Sequence, residues 1–281
     1  MIFGLLSGIF WALDTILLSK IQIFALLLVA IHDFISFLFI GGFLKFSKIS
    51  FLLNKKQIQI TAIASILGSL GMTCFLLSIQ YTKAPLASIL SSLYPAFSVV
   101  IARILLQQKL SKMGLFGLFV AVIFTILLFI FDVEIMDIEP LGIIFGFICA
   151  LCWGSECVVI NLVLKDNMNE KIALFIRQGV SSFINFGFFL IFLTTQDIKN
   201  YHISNLDIII LAAFCASTSY TFYYKAISNI GVLKAMGLNI SYSAWVIIFG
   251  FFIGEKFSIF LLSCAIFIII GSVLSNVQGH K

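Results

Sequence analysis

Apolar runs of about 20 residues follow one another along almost the whole chain, with only short polar connections between them. Because a helix of this length crosses the hydrocarbon core of a bilayer, each run predicts a membrane-spanning helix. Of the 281 residues, 62% are hydrophobic and 10% are charged, which is too little charge to cover a water-soluble protein of this size. The sequence therefore predicts an all-α integral membrane protein.

Ten such runs predict ten transmembrane helices. They cover approximately residues 2–19, 24–44, 58–80, 85–106, 113–131, 140–163, 172–194, 206–227, 231–254 and 257–277. The first run follows no basic segment and precedes no small-residue cleavage site, so we interpret it as a helix and not as a signal peptide.

Lysines indicate how these helices are oriented. They concentrate in the connections after the second and fourth runs, at Lys45, Lys48, Lys55, Lys56, Lys109 and Lys112. Since positive charge is enriched on the cytoplasmic side of membrane proteins, both termini are predicted to be cytoplasmic.

The two halves of the chain share motifs. GLLSGIFWALD at 4–14 resembles GIIFGFICALCWGSE at 142–156, and each string places an acid three residues after a tryptophan. SSLYPAFS at 91–98 is echoed, within a residue of register, by NISYSAWV at 239–246. The similarity predicts an internal repeat.

An odd number of spans in each repeat has a topological consequence. With five spans per half, the repeats at 1–134 and 135–281 must have opposite orientations in the membrane. Inverted repeats are typical of secondary transporters, whose binding site lies near the bilayer midplane between the halves.

Six tryptophan and tyrosine residues fall near the middle of predicted spans: Trp11, Tyr94, Trp153, Tyr220, Tyr242 and Trp245. Membrane aromatics with polar tips ordinarily lie at the interfaces, so mid-span rings need another partner. Each ring alone is as well explained by helix packing, but we expect the set to line a shared cavity. Asn239 lies one helical turn before Tyr242 and adds a polar group, and Tyr223 or Tyr224 extends the face of Tyr220.

Glu156 lies three residues after Trp153 in an apolar run, so the two share a helix face. A carboxylate among aromatic rings binds a desolvated organic cation, since each ring contributes about 0.5–2 kcal/mol of cation–π attraction. The alternative is a static ion pair between Glu156 and Arg177.

Ionisable groups inside a bilayer are costly and usually functional. On this ground Glu156, His32, Asp33 and Asp14 are candidate proton-coupling residues, and a free imidazole titrates at about pH 6.5. Structural alternatives stay open: a hydrogen bond from Asp33 to His32 or to a helix end would explain these two residues, and a water-facing position would explain Asp14.

Several classes of function are excluded by missing signals. The sequence has no nucleotide-binding loop, no zinc-protease motif and no Ser–His–Asp set outside the membrane, so we predict no enzyme, cofactor, metal or nucleic-acid partner. Cys149 and Cys152 have CxxC spacing, but they lie on a hydrophobic helix and are interpreted as small apolar fillers.

A resemblance to a known family indicates the substrate. The strings GLLSGIFW, HDF, SLYPAFSV, CALCWGSE, IRQ and GLNISYSAW resemble the LicB-type choline permeases of the drug/metabolite transporter superfamily, each half being similar to its EamA unit. The resemblance implies import of choline or a related quaternary ammonium ion across the bacterial inner membrane, coupled to protons or driven by membrane potential. It places the binding site at Trp11, Tyr94, Trp153, Glu156, Tyr220, Asn239, Tyr242 and Trp245.

Two other functions stay open at this point. One is an exporter of small amines or amino-acid metabolites, because the residues do not fix direction. The other is a membrane scaffold or lipid-handling enzyme, in which the mid-span aromatics would face lipid or packed neighbours.

Overall fold

The computed structural model describes residues 1–49, 51, 53–132, 139–193, 205–254 and 258–275. Within these ranges the regular secondary structure is α-helical throughout, which confirms the predicted all-α class. The helices are α1 (Ile2–Leu18), α2 (Ala25–Phe46), α3 (Lys55–Tyr81), α4 (Ala84–Ser91), α5 (Tyr94–Leu105), α6 (Lys112–Asp132), α7 (Pro140–Lys165), α8 (Glu170–Leu193), α9 (Leu206–Ile230), α10 (Val232–Asn239), α11 (Tyr242–Phe252) and α12 (Ile259–Leu274).

Seven helical segments in the described part of the chain are long and apolar enough to cross a membrane. They are Ala25–Phe46, Lys55–Tyr81, Leu86–Leu105, Pro140–Lys165, Glu170–Ile191, Leu206–Ile230 and Val232–Phe252. Three shorter apolar helical segments, Ile2–Leu18, Lys112–Leu127 and Ile259–Leu274, accompany them. The chain is therefore a multi-pass membrane protein.

Sequence signals account for several helix ends. Asn54 and Gln57 form a reciprocal capping box at the start of α3, in which Gln57 N donates to Asn54 Oδ1 over 2.8 Å and Asn54 N donates to Gln57 Oε1 over 3.2 Å. At the other end of a helix, Gly231 closes α9 with φ +82°, a conformation that favours glycine. This turn lets α10 start immediately.

Two of the seven segments are broken near their middle. The segment Leu86–Leu105 is interrupted between α4 and α5, where Pro95 occupies the first turn of α5 and cannot donate a backbone hydrogen bond. The break therefore falls directly before Tyr94 and Pro95. The segment Val232–Phe252 is interrupted between α10 and α11 without a proline.

Serine side chains accompany both breaks. Ser92 Oγ donates to the Ile89 carbonyl over 2.9 Å at the first break, and Ser241 Oγ donates to the Leu238 carbonyl over 2.7 Å at the second. Such local bonds give the backbone an alternative to continuing the helix. The breaks coincide with the two similar strings at 91–98 and 239–246.

Helices from the two halves of the sequence pack against each other in pairs. The largest interfaces join α3 to α7, α1 to α9 and α2 to α8. The buried core lies between these pairs, whereas large apolar side chains such as Phe119, Phe183, Phe188 and Ile191 are exposed on the outside. An apolar exterior of this kind is expected of a surface in contact with lipid.

Candidate functional site

Helix α7 places Trp153, Glu156 and Cys157 on one inward face, at the spacing of a helical turn. Two glycines of α3 make room for them. A Cβ on Gly68 would lie 2.6 Å from the carboxylate carbon of Glu156, and a Cβ on Gly71 would overlap the Trp153 indole. Glycine at both positions therefore allows α3 to approach the functional face of α7.

Helix α9 contributes a second face, formed by Tyr220, Tyr223 and Tyr224, all of which are buried. The Tyr224 hydroxyl donates to Glu156 Oε1 over 3.0 Å. The Tyr223 hydroxyl lies 3.1 Å from the sulfur of Cys157. The faces of α7 and α9 are thus joined directly by polar contacts.

The two broken helices bring Tyr94, Asn239 and Tyr242 to the same place. The Tyr94 hydroxyl donates to Asn239 Oδ1 over 2.9 Å, and Asn239 Nδ2 donates to Ser7 Oγ on α1 over 2.7 Å. The Tyr242 hydroxyl donates to the Ser88 carbonyl over 3.0 Å. These bonds fix the ends of the broken helices against α1 and against each other.

Aromatic rings surround the point where these faces meet. The Trp11 ring lies edge-on to both Trp153 and Tyr220, with centroid separations of 5.1 Å in each pair. Phe75 packs behind Trp153 at 5.1 Å. The indole nitrogen of Trp153 is buried and makes no hydrogen bond within the described residues. Such an arrangement of rings can surround a cation and offers one free donor.

A cavity lies inside this arrangement. Its lining is formed by Trp11, Tyr94, Trp153, Glu156, Cys157, Ser219, Tyr220, Tyr223, Tyr224, Asn239 and Tyr242. The cavity volume is about 30 Å³, enough for one or two water molecules. Seven of the eight predicted binding residues line it, which is the clustering expected from the sequence.

Trp245 is the predicted binding residue that the structure does not bring to the cavity. Its ring stacks on Phe249 at 5.9 Å and packs beside Ala12, Ile16 and Val246. The sequence prediction assumed one continuous helix face through Asn239, Tyr242 and Trp245. Trp245 follows Tyr242 by one turn on α11, where that helix packs against Ala12 and Ile16 of α1, so the expectation that Trp245 lines the shared cavity is corrected.

Glu156 is paired with Arg177, the alternative that the sequence left open. Arg177 is fully buried on α8, and its Nε donates to Glu156 Oε1 over 3.2 Å. One terminal nitrogen donates to the Tyr220 hydroxyl over 2.7 Å and to the Gly68 carbonyl over 3.2 Å. The guanidinium carbon also lies 4.4 Å from the centroid of the Tyr220 ring. Arginine and carboxylate therefore neutralise each other beside the cavity.

A second group of buried ionisable residues continues from Arg177. Its other terminal nitrogen lies 3.6 Å from Asp33 Oδ2, and Asp33 Oδ1 lies 2.9 Å from His32 Nδ1. The remaining ring nitrogen, Nε2, lies 3.2 Å from Asp14 Oδ1. Ser181 donates a short hydrogen bond to Asp33. The four predicted proton-coupling residues thus form one chain of contacts through Arg177.

Asp14 is fully buried, so the expectation that it might face water is wrong. One carboxylate oxygen of Asp14 on α1 lies within hydrogen-bond distance of His32 on α2. The second oxygen, Oδ2, is buried and has no hydrogen-bond partner in the part of the chain that the structure describes. Of the four proton-coupling candidates, Glu156 lines the cavity, and the other three lie behind it.

The predicted binding set left out several lining residues, although the sequence indicated that Tyr223 or Tyr224 extends the face of Tyr220. Cys157, Ser219, Tyr223 and Tyr224 line the cavity in addition to the predicted set. The signal for three of them was helical periodicity, because Tyr223 and Tyr224 follow Tyr220 by one turn and Cys157 follows Trp153 by four residues. Ser219 carries no such signal.

Comparisons with known proteins agree with this architecture. The model of the EamA-like transporter family matches residues 1–130 and 140–277. Protein LicB of Haemophilus influenzae is 32% identical over 271 residues, covering 91% of this chain and 89% of that protein. The uncharacterized transporter YyaM of Bacillus subtilis is 24% identical over 241 residues, covering 80% of this chain and 76% of that protein.

A solved crystal structure shares the fold at low sequence identity. It superposes with a TM-score of 0.78 at 13% identity and covers 97% of this chain and 94% of that one.

Proposed function

This chain belongs to the EamA-like transporter family, and we propose that it imports choline or a related quaternary ammonium ion across the inner membrane of a bacterium. It is a membrane transporter and not an enzyme. The choice of choline rests on the resemblance of its motifs to the LicB-type choline permeases. The import direction rests on the same resemblance.

The observation that carries the proposal is the position of Glu156 among aromatic rings in a buried cavity. A quaternary ammonium ion has no hydrogen-bond donor on its head, so rings and a nearby negative charge are the groups that bind it. Trp11, Trp153 and Tyr220 provide the ring surfaces. Asn239 and the cavity phenols provide partners for a hydroxyl group on the ligand tail. The scaffold alternative required rings facing lipid or packed neighbours, and it lacks the support of this cavity.

The small cavity volume supports a transport cycle with conformational change. Space for one or two water molecules is too little for an ammonium carrying three methyl groups, so we propose that this is a contracted state. The two broken helices end at the cavity, as discontinuous helices do in transporters with inverted repeats. Rocking of the halves about this point would widen the cavity toward one side of the membrane at a time.

The proposed topology follows from the lysine distribution and the sequence repeat. We propose ten membrane spans in two inverted repeats, 1–134 and 135–281, with both termini in the cytoplasm. The lysine-rich connections after the second and fourth spans support this orientation.

Two energy sources fit a cationic substrate. A membrane potential that is negative inside favours entry of a monovalent cation by about 2.3 kcal/mol per 100 mV. Protons are the second source, and we propose that they bind among Glu156, His32, Asp33 and Asp14. These groups comprise three carboxylates against one permanent cation, Arg177, so added positive charge reduces an electrostatic cost.

The test is uptake of radiolabelled choline into proteoliposomes that contain the purified protein. We expect uptake that Glu156→Gln reduces by more than about tenfold, because the site loses the charge that offsets cation desolvation. Glu139→Gln removes an exposed carboxylate and serves as the matched control. Efflux of choline from preloaded vesicles without uptake would instead assign export, and no movement in either direction would overturn the choice of substrate.

A further inference from the structure

The Arg177 side chain contacts a carboxylate and an aromatic ring, which are the two kinds of group that would bind the proposed substrate. Its Nε donates to Glu156 over 3.2 Å, and its guanidinium covers the Tyr220 ring at 4.4 Å. Both Glu156 and Tyr220 line the cavity, whereas Arg177 lies behind them. A substrate cation bound between the same carboxylate and the same ring would meet a like charge at short range.

Asp33 offers Arg177 a second counterion. Its Oδ2 lies 3.6 Å from the terminal nitrogen Nη1 of Arg177, a distance that makes an ion pair but exceeds the length of a hydrogen bond. A small shift of the guanidinium, to the usual charge-assisted length of about 2.8 Å, would complete that bond. Gln178, which follows Arg177 in the chain, accepts a short hydrogen bond from Nη1. The arginine is therefore placed between two carboxylates on two different helices, α2 and α7.

We propose that Arg177 is a tethered substitute for the substrate. In the contracted, empty state it neutralises Glu156, and when a quaternary ammonium ion enters it moves toward Asp33 and yields Glu156 to the ligand. The inference rests on the proposed function. It makes Arg177 a positioning residue for the transport cycle, since it is not expected to touch the ligand.

The exchange of partners explains how the empty carrier can change its conformation. A buried carboxylate without a counterion is strongly disfavoured, so an empty site needs a cation before it can close. Arg177 provides that cation. When the substrate binds, the guanidinium pairs with Asp33, so Glu156 becomes available to the substrate. A static ion pair, by contrast, would keep Glu156 neutralised throughout and would not distinguish loaded from empty carrier.

The test separates two modes of transport by Arg177→Gln. Exchange of labelled for unlabelled choline requires movement of the loaded carrier alone, whereas net uptake also requires return of the empty carrier. We expect Arg177→Gln to retain exchange and to lose net uptake by at least about tenfold. Arg103→Gln removes an exposed arginine of α5 and should change neither mode.

The affinity for tetramethylammonium, used as the probe, is an independent measurement. Without the tethered cation, Arg177→Gln should bind the probe at least about tenfold more tightly, and the probe should raise its melting temperature more than that of the unmodified protein. Equal loss of exchange and net uptake, or unchanged or weaker probe binding, would show that Arg177 is only a structural ion-pair partner.

Asp33→Asn provides the second variant if Arg177→Gln does not fold. Asp33 does not line the cavity, so a purely structural role predicts unchanged binding in a folded variant. The exchange model predicts that probe binding weakens by at least about tenfold, because Arg177 loses its alternative counterion. Failure of the unmodified protein to bind or transport choline would overturn the proposed function. Normal choline transport by the unmodified protein, together with variants that behave like it, would overturn only the inference on Arg177.

Discussion

Tyr94 and Tyr242 occupy equivalent positions in the two broken helices and bind reciprocally across them. Each begins the helix that follows a break, and each hydroxyl reaches the last residue of the helix that precedes the other break. Tyr94 donates to Asn239 over 2.9 Å, and the Tyr242 hydroxyl lies 2.6 Å from Ser91 Oγ. The similar strings at 91–98 and 239–246 therefore make equivalent hydrogen bonds to each other.

The first prediction concerns these two hydroxyl groups. Tyr94→Phe and Tyr242→Phe each leave a buried polar group without its partner, so each should lower the free energy of unfolding by about 1–3 kcal/mol. The measurement is thermal unfolding in detergent. Tyr81→Phe is the matched control, because the Tyr81 ring stacks on Phe145 and its hydroxyl makes no hydrogen bond within the described residues. Equal melting temperatures for all three variants would contradict the assigned role of the bonds.

A second prediction separates the tryptophans. Trp153→Leu removes a ring of the cavity and should weaken choline binding by about 0.5–2 kcal/mol, which is the contribution of one cation–π contact. Trp245→Leu removes the same kind of ring outside the cavity, where it stacks on Phe249, and should leave the affinity for choline unchanged. Equilibrium binding of labelled choline to the two purified variants measures the difference. Equal losses in both would mean that the rings act through packing.

The sequence allowed much of this site to be predicted because helical periodicity is local. Trp153 and Glu156 share a face of one uninterrupted helix, and Tyr220 shares a face with Tyr223 and Tyr224. Nothing local showed that the helix breaks after Asn239, since no proline marks that point. Tyr242 and Trp245 lie on the same helix, α11, and periodicity alone did not show that α11 packs against α1 one turn after Tyr242, which keeps Trp245 away from the cavity.

Contacts between distant helices were the least accessible to sequence reasoning. The pairing of Glu156 with Arg177 was one of two open alternatives, because spacing along the chain does not determine which helices face each other. The chain of contacts from Asp14 through His32 depends on α9, which packs against both α1 and α2, and on how α2 packs beside α8. Two charged side chains in an apolar sequence indicate that a partner is needed but do not identify it.

The third prediction tests the close approach of α3 to the site. In Gly68→Ala the added Cβ would lie 2.6 Å from the Glu156 carboxylate, so either α3 or Glu156 must shift. We expect choline uptake to fall by more than about tenfold, because small displacements of a buried charged group are costly. The matched control is Gly42→Ala on α2, where a Cβ meets nothing within 4 Å. Similar uptake by both variants would show that the fit against Glu156 is unimportant.

A fourth prediction assigns the proton pathway. His32 bridges Asp14 and Asp33 through its two ring nitrogens, and His32→Gln removes the ionisable group that joins these two carboxylates. We expect the variant to lose the acceleration of choline uptake by an inward proton gradient. Uptake driven by membrane potential alone, measured in the same vesicles at equal pH on both sides, should persist and serves as the internal control. An unchanged response to the proton gradient would exclude His32 from coupling.

The last prediction tests the orientation of the chain in the membrane. Lys20 and Lys45 are exposed at the ends of α1 and α2, which places them on opposite sides of the bilayer if α2 crosses it. With cytoplasmic termini, a membrane-impermeant maleimide added to intact cells should label Lys20→Cys and not Lys45→Cys. All six native cysteines are buried, so their contribution to labelling should be low.

Permeabilised cells provide the control for that experiment, because both introduced thiols should then react. The reverse pattern in intact cells, with Lys45→Cys labelled and Lys20→Cys protected, would invert the proposed orientation. It would also place the lysine-rich connections outside the cell, against the charge distribution from which the orientation was inferred. Labelling of both positions from outside would instead show that α2 does not cross the membrane, and the arrangement of the first repeat would have to be redrawn around the same buried site.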